Sequence, residues 1–410
     1  MPKIQLIKCH KNLNSRGDWT IDTVIHLDDG TVVSQTVPEG ASKGELEAIS
    51  IPVETAVEIV SHAINDALVG EDAEDQEKID RILIDMDGTP NKQHLGGNSM
   101  LSVSLGVAKA VAESRKLELY EHLAFLYSGR VPDTSFLKFP TPLFNVINGG
   151  KHASNGLSFQ EFMVIPSTSK TIVEALEMGT SVYKTLKKNL EEKGFSTGVG
   201  DEGGFAPEGL TLPRALELIK SAAGENFVVG TDIFFGLDAA AESFHHQDKY
   251  VIPEESLELE PSQLNDYYEK ILNEYEIIYL EDPFYERDYK GWVDAYSRFS
   301  KKIMLVADDL VVTNAKLLEA TISKKMANSV IVKPNQVGTL SETFDFIRLA
   351  RNNKMSIIVS HRSGDTAEDS FIADLAIAVE ADFLKAGSPV RGERVVKYNR
   401  LLDIYSDING

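Results

Sequence analysis

A single cysteine, Cys9, stands in the 410 residues, so no disulfide can form within the chain and a reducing, cytoplasmic home is expected. Basic side chains are scarce as well: 41 Lys and Arg face 63 Asp and Glu, for a formal net charge of −22. Nucleic acid and anionic membranes both call for basic surface, so neither is expected as a partner. No apolar run approaches the ~20 residues of a membrane-spanning helix, and no charged-then-apolar leader opens the sequence. The acidity raises a further requirement. An anionic substrate would need the local sign reversed, and a bound metal ion does that.

What is present is ordinary for a globular protein, 42% hydrophobic and 25% charged. The length suggests two domains. Residues 3–8, 20–27 and 31–37 read as strands, the last two as a hairpin about Asp28-Asp29-Gly30. A loop with small residues and two glycines, 38–44, follows. Helices are expected from Pro52 onward, with Val53, Val57, Val60, Ile64 and Leu68 on one face, and over 76–84, 98–112 and 120–127. The stretch 128–140 carries Gly129, Pro132 and Pro140 without periodicity. It divides a smaller α+β domain, 1–130, from a second domain, 139–410.

After Pro142 short apolar runs alternate with amphipathic stretches, the mark of βα units and a largely parallel sheet. The later runs end alike. They deliver, in turn, Asp238, Glu281-Asp282, Asp308-Asp309, Lys333, His361-Arg362-Ser363 and Lys385. Lys333 stands 25 residues after Asp308, His361 28 after Lys333, and Lys385 24 after His361. Each interval suits one βα unit of a (β/α)8 barrel, whose active sites lie at the carboxyl ends of its strands.

Asp238, Glu281 and Asp308 would repel one another on one face unless a cation lay between them. Oxygen ligands without His or Cys favour magnesium, manganese or calcium over zinc. Arg362 suits an oxygen fork on phosphate or carboxylate. Lys333 serves as a base only when neutral, and a nearby metal and Lys385 would push its pKa down. Glu161 lies within a strand expected over 159–163, Glu202 sits in the glycine-bracketed turn 200–204, and His152 follows the Gly149-Gly150 pair. An acid, a base, a divalent metal and an anion clamp describe proton abstraction beside a carboxylate with loss of a β leaving group, which is lyase chemistry.

These motifs resemble those of the enolase family, and the likeness spans nearly the whole chain. Lys333-x-Asn335-Gln336-x-Gly338-Thr339 fits the family signature, and Glu281-Asp282-Pro283-Phe284, Ser360–Gly364, Gly200–Gly204 and Asn148-Gly149-Gly150 stand as the family has them. The resemblance implies an α/β fold, with a modified (β/α)8 barrel preceded by a smaller α+β capping domain. It implies reversible, Mg2+-dependent dehydration of 2-phosphoglycerate to phosphoenolpyruvate, in glycolysis and gluconeogenesis. A lysine base with magnesium stabilising the ene-diolate is the mechanism for which this superfamily is itself the standard example. Carried over residue by residue, Lys333 takes the C2 proton and Glu202, with Glu161 beside it, helps the C3 hydroxyl leave. Asp238, Glu281 and Asp308 bind the first magnesium, and Ser42 on the closing loop binds a second. Arg362 and Ser363 hold the phosphate, Lys385 contacts the carboxylate side, and Gln160, His152 and His361 complete the pocket. A homodimer or higher homo-oligomer is implied.

The chain departs from the family pattern at 14–19, where it reads Asn-Ser-Arg-Gly-Asp-Trp, and at Glu39 and Lys43 in the closing loop. It also departs at Ala241–Phe244, and at His10 and Asp403, both arginine in many members; Asp403 would face the also acidic Asp22 at the family's dimer contact. These changes bear on loop closure and on the contact between subunits. The alternatives are an enolase-like protein with a different acid substrate, or one with a non-catalytic binding role.

Overall fold

The computed structural model describes residues 1–40 and 46–409. Two architectures follow one another. β1 (Ile4–Leu13), β2 (Trp19–Leu27) and β3 (Val32–Thr36) form an antiparallel sheet with the expected turn at Asp28–Gly30. β1 runs past the apolar stretch that predicted it because pairing with β2 continues out to Leu13 and Trp19. α1 (Val53–Ile59) and α2 (Asn65–Leu68) are joined by a π turn, Val60–Ile64, and bury Val60, Ile64 and Leu68. α3 (Gln76–Asp87) starts where Asp75 accepts the Lys78 backbone N–H. α4 (Gly97–Arg115) is buried nearly all round. Its small residues, including fully buried Ser99, Ser102 and Ser104, let it lie between the β2–β3 sheet and the second architecture. α5 (Leu119–Ser128) completes this part.

The second architecture opens with β4 (Thr141–Asn148), β5 (Glu161–Pro166), α6 (Ile172–Glu192), α7 (Leu212–Gly224) and β6 (Ile233–Asp238). A small antiparallel sheet follows, made of β7 (His245–His246), β8 (Lys249–Ile252) and β9 (Leu257–Leu259). Strands and helices then alternate: α8 (Pro261–Glu274), β10 (Ile277–Glu281), α9 (Tyr289–Phe299), β11 (Met304–Ala307), α10 (Ala315–Lys324), β12 (Ser329–Val332), α11 (Leu340–Asn352), β13 (Ser356–Ser360), α12 (Phe371–Ala378), β14 (Phe383–Lys385) and α13 (Gly392–Asn409).

Among the described residues eight strands close into a barrel in the order β10-β11-β12-β13-β14-β4-β5-β6. β5 runs antiparallel to both neighbours in a barrel that is otherwise parallel. The reason lies in the connection. Residues 149–160 hold only a single 3-10 turn, Gly150–His152, and a parallel return needs a crossover that is usually helical.

The barrel interior explains why strand endings predict the site. Leu143, Met163, Ile165, Tyr279, Val306, Ile331, Ile358 and Phe383 form one buried cluster, drawn from seven of the strands. Side chains on a strand alternate faces, so the residue two positions further on also points inward, at the mouth. Tyr279 is followed by Glu281, Val306 by Asp308, Ile331 by Lys333 and Phe383 by Lys385. Antiparallel β5 brings its acid, Glu161, to the mouth at its start, opposite Asp238 in the β6 register.

The outer helices pack without slack. A Cβ on Gly179 of α6 would lie 2.3 Å from the ring of Phe144, which is wholly buried on β4. Alanine favours a helix over glycine by about 1 kcal/mol, but overpacking a core costs about 1–3 kcal/mol. Gly179→Ala is therefore expected to lower the urea midpoint. An unchanged or raised midpoint would show that the ring gives way freely.

Candidate active site

Lys385 anchors the mouth. Its Nζ lies 2.7 Å from Glu281 Oε2, 3.0 Å from Asp238 Oδ2 and 3.2 Å from Glu161 Oε1, and it is almost wholly buried. Lys333 pairs with Asp308, whose other oxygen accepts from Gln336 Nε2 at 3.0 Å. Gln160 reaches Asp238 at 3.5 Å. Asp238 and Asp308 thus line one pocket with both lysines, Glu281 lies behind it on Lys385, and each of the three carboxylates expected to bind metal touches an ammonium group.

The electrostatics follow from burial. Glu281 is pushed up to about 8, first by desolvation and then by Asp238. Asp309 is pushed up to about 7 by desolvation and Asp308. For Lys333, burial lowers the pKa, but Asp308 outweighs it and the net shift is upward. The lowering by Lys385 expected from the sequence is present but outweighed. Asp308 accepts a hydrogen bond from Lys333, and its attraction exceeds the repulsion of Arg362 and Lys385.

Across the pocket, His152 Nδ1 lies 3.6 Å from Glu202 and 4.0 Å from Glu161. Glu202 accepts from Asn145 Nδ2 at 3.0 Å and faces His361 Nε2 at 3.4 Å. Burial and the neighbouring Glu202 push Glu161 well above the usual carboxylate range. Burial acts the same way on Glu202, but His152, His361 and Arg394 outweigh it and hold it well below. The imidazoles are themselves pushed down by burial, His361 to about 4. Glycines set this wall in place: a Cβ on Gly200 would lie 2.6 Å from the His152 carbonyl, and Gly203 has φ +88°.

Arg362 and Ser363 are buried. Arg362 is ion-paired with Glu47 at 3.0 Å, and Glu39 exchanges backbone hydrogen bonds with Gly364. Both flanks of the loop are thereby fastened to the segment after β13. Ser42 and Lys43 lie outside the described residues.

Several supporting groups had no role assigned from the sequence. Val312 and Thr313 adopt left-handed backbone, φ +39° and +53°, a costly conformation for β-branched residues. The result is that Thr313 Oγ1 accepts the Lys333 backbone N–H at 2.9 Å and donates to Gln336 Oε1 at 2.8 Å, which turns the Gln336 amide toward Asp308. Asp282 accepts the backbone N–H groups of Asp308 and Asp309 at 3.0 and 2.9 Å. Glu47 and Arg394 come from distant stretches, and no local motif marks them.

The donor set fits a hard divalent cation. Glu281 Oε1 and Glu161 Oε2 are buried without a hydrogen-bond partner, and the ligand atoms are oxygens. Asp282, Asp308 and Asp309 also lie close enough to share an ion, but Asp282 is already engaged as a brace for two amides. Metal removal should therefore make stability depend on pH. Glu281 and Asp309 have folded pKa values raised above their unfolded ones, so above pH 6.5 the folded state still holds protons that the unfolded chain has lost. Chelated protein should lose roughly 2 kcal/mol of stability in total from these two groups as pH rises from about 6.5 to about 8, most of it from Glu281. Below that window His122 and His361, both pushed down to about 4, work in the opposite sense. Chemical unfolding at both pH values, with chelator and with excess magnesium, checks this. Equal pH slopes would separate these carboxylates from the cation.

Comparison with known proteins agrees with the geometry. Residues 4–123 match the family described as Enolase, N-terminal domain, and residues 136–410 match Enolase, C-terminal TIM barrel domain. Enolase of Kineococcus radiotolerans is 42% identical over 421 aligned residues, spanning 100% of this chain and 95% of that protein. No helix among the described residues is long and apolar enough to cross a membrane. With an eight-stranded barrel, an acidic metal-fitting mouth and both family matches along its length, the chain belongs to the enolase family of lyases.

Proposed function

We propose the following division of labour for this enolase-family lyase, which dehydrates 2-phosphoglycerate reversibly to phosphoenolpyruvate. Asp238, Glu281 and Asp308 would hold one Mg2+, and Ser42 would take part in holding a second. A bound divalent cation supplies stabilisation for the negative charge that develops on the substrate carboxylate. Lys333 removes the C2 proton. The C–H electron pair forms the C2–C3 double bond, the C3–O bond breaks, and the hydroxyl leaves as water with a proton from Glu202, which shares it with Glu161. In the reverse direction the charged Glu202 activates water and Lys333 returns the proton to C2. Arg362 and Ser363 grip the phosphate, Lys385 steers the carboxylate, and His152, Gln160 and His361 line the remaining wall. Residues 1–130 cap a catalytic domain at 139–410. A place in glycolysis and gluconeogenesis, a cytoplasmic location and a homodimer or higher homo-oligomer complete the reading. The single cysteine and the acidic composition support the location.

One observation carries this reading: a buried lysine and a buried carboxylate pair share one pocket with Arg362. The test is direct. Purified protein is mixed with 2-phosphoglycerate and magnesium, and the ultraviolet absorbance of phosphoenolpyruvate is followed with and without chelator. Magnesium-dependent product formation is expected, with manganese and calcium as comparisons. Dehydration of an unphosphorylated acid instead would move the protein to another chemistry on the same fold. Light scattering reads the oligomeric state.

A further inference from the structure

The two ring nitrogens of His361 have different neighbours. Nδ1 lies 2.6 Å from Nη1 of Arg394, on α13. Nε2 lies 3.4 Å from Glu202 Oε1, too long for a well-formed hydrogen bond, and has no other partner among the described residues. A guanidinium offers only donors and keeps its proton inside proteins. A hydrogen on Nδ1 would therefore oppose an N–H at 2.6 Å. The neutral ring must carry its hydrogen on Nε2, the side turned to Glu202.

Arg394 is itself held from several directions. It is 0% exposed. Nη1 also lies 2.7 Å from the Arg362 carbonyl and 3.0 Å from Asp365 Oδ2, and Nη2 donates to the carbonyls of Asp201 and Ser363. Asp365 accepts in turn from Lys397 Nζ at 2.7 Å. One guanidinium thus ties the phosphate-gripping segment 361–363 to the turn that carries Glu202. Buried ion pairs contribute little net stability, which leaves the fixed geometry as what this one provides.

We propose that Arg394 is a positioning residue of the reaction, holding His361 as the Nε2–H tautomer with that hydrogen aimed at Glu202 and the departing hydroxyl. The hydrogen meets the charge that Glu202 acquires when its proton leaves with water. This assignment rests on the roles given above to Glu202 and His361, so its first test needs no turnover. In protein labelled with 15N-histidine, the His361 signal is identified by its loss in His361→Gln. It should show Nδ1 bare and Nε2 protonated across the neutral range. A hydrogen on Nδ1, or a doubly protonated ring, overturns the proposal. The expected spectrum in a protein inactive on 2-phosphoglycerate would uphold the tautomer and sink the functional reading instead.

Kinetics then connect the tautomer to Arg394. Arg394→Gln, whose amide both accepts and donates, should admit the Nδ1–H form and lower kcat roughly 10- to 100-fold, the usual loss for an outer partner, with KM near its parent value. Arg394→Lys still only donates, so it should keep the tautomer and recover part of kcat. In a His361→Gln background, Arg394→Gln should cost little more, because its route is already gone. Full additivity of the two losses, or equal losses in the Lys and Gln variants, would make Arg394 a support of the fold alone. Should Arg394→Gln fail to fold, the wild-type spectrum and the Lys variant still decide.

Discussion

Lys333→Ala is expected to abolish turnover of 2-phosphoglycerate, by on the order of 10³-fold or more, while the barrel stays folded. The loss is large because the other lysine at the barrel mouth is not free to take over as the base. Lys385 is surrounded by three carboxylates and held well above its ordinary pKa. The stability cost is smaller than the kinetic one. Breaking a buried pair by removing one partner costs about 3–5 kcal/mol, but Asp308 keeps the Gln336 N–H at 3.0 Å, so the low end applies. Lys333 also competes with any cation for Asp308. Magnesium should therefore raise the melting temperature of Lys333→Ala more than that of the parent. Turnover within tenfold of the parent would remove Lys333 from the base role. An identical magnesium shift would mean that the Lys333–Asp308 pair does not compete with metal.

Lys385→Met should give the largest loss of stability in chelated protein, and a pH-dependent one. Methionine nearly matches the length of lysine and carries no charge. Without the ammonium group, Glu161, Asp238 and Glu281 face one another with no cation between them. The expected cost is about 3–5 kcal/mol at pH 8. It is smaller at pH 6, because Glu281, pushed up to about 8 even with Lys385 present, keeps its proton there. The sign follows from linkage: a folded pKa raised above the unfolded one leaves stability intact at low pH and removes it as pH rises through the folded value. Urea unfolding with chelator at the two pH values measures this, and excess magnesium should restore most of the loss at pH 8. An equal drop at both pH values would assign the cost to packing.

Much of the mouth was legible because a strand has a period of two. An apolar residue that fills the barrel interior requires the next inward position to lie at the rim, so Val306 announces Asp308 and Ile331 announces Lys333. The α4 helix was legible from its small residues, which permit close approach on every side. The reversal of β5 was less so. Its apolar sequence suits either direction, and only the short connection before it decides.

By itself the sequence determined the order of strands and helices, the positions that fill the barrel and the acids, lysines and arginine delivered to its rim. These are local properties, written in periodicity and in the residue that ends each run. Only the tertiary structure decided which charge meets which. Lys385 and Asp238 are 147 residues apart, Lys333 and Asp308 25, and Arg394 and His361 33. Their contacts exist because closure of the barrel and the docking of α13 bring distant segments into register. The same holds for the pKa directions. Lysine read from the sequence alone suggests a base waiting to be depressed, and Glu202 an ordinary acid. Burial and a neighbour a few ångströms away settle the direction for each, because Coulomb energy depends on distance in space and on the loss of water, not on separation along the chain.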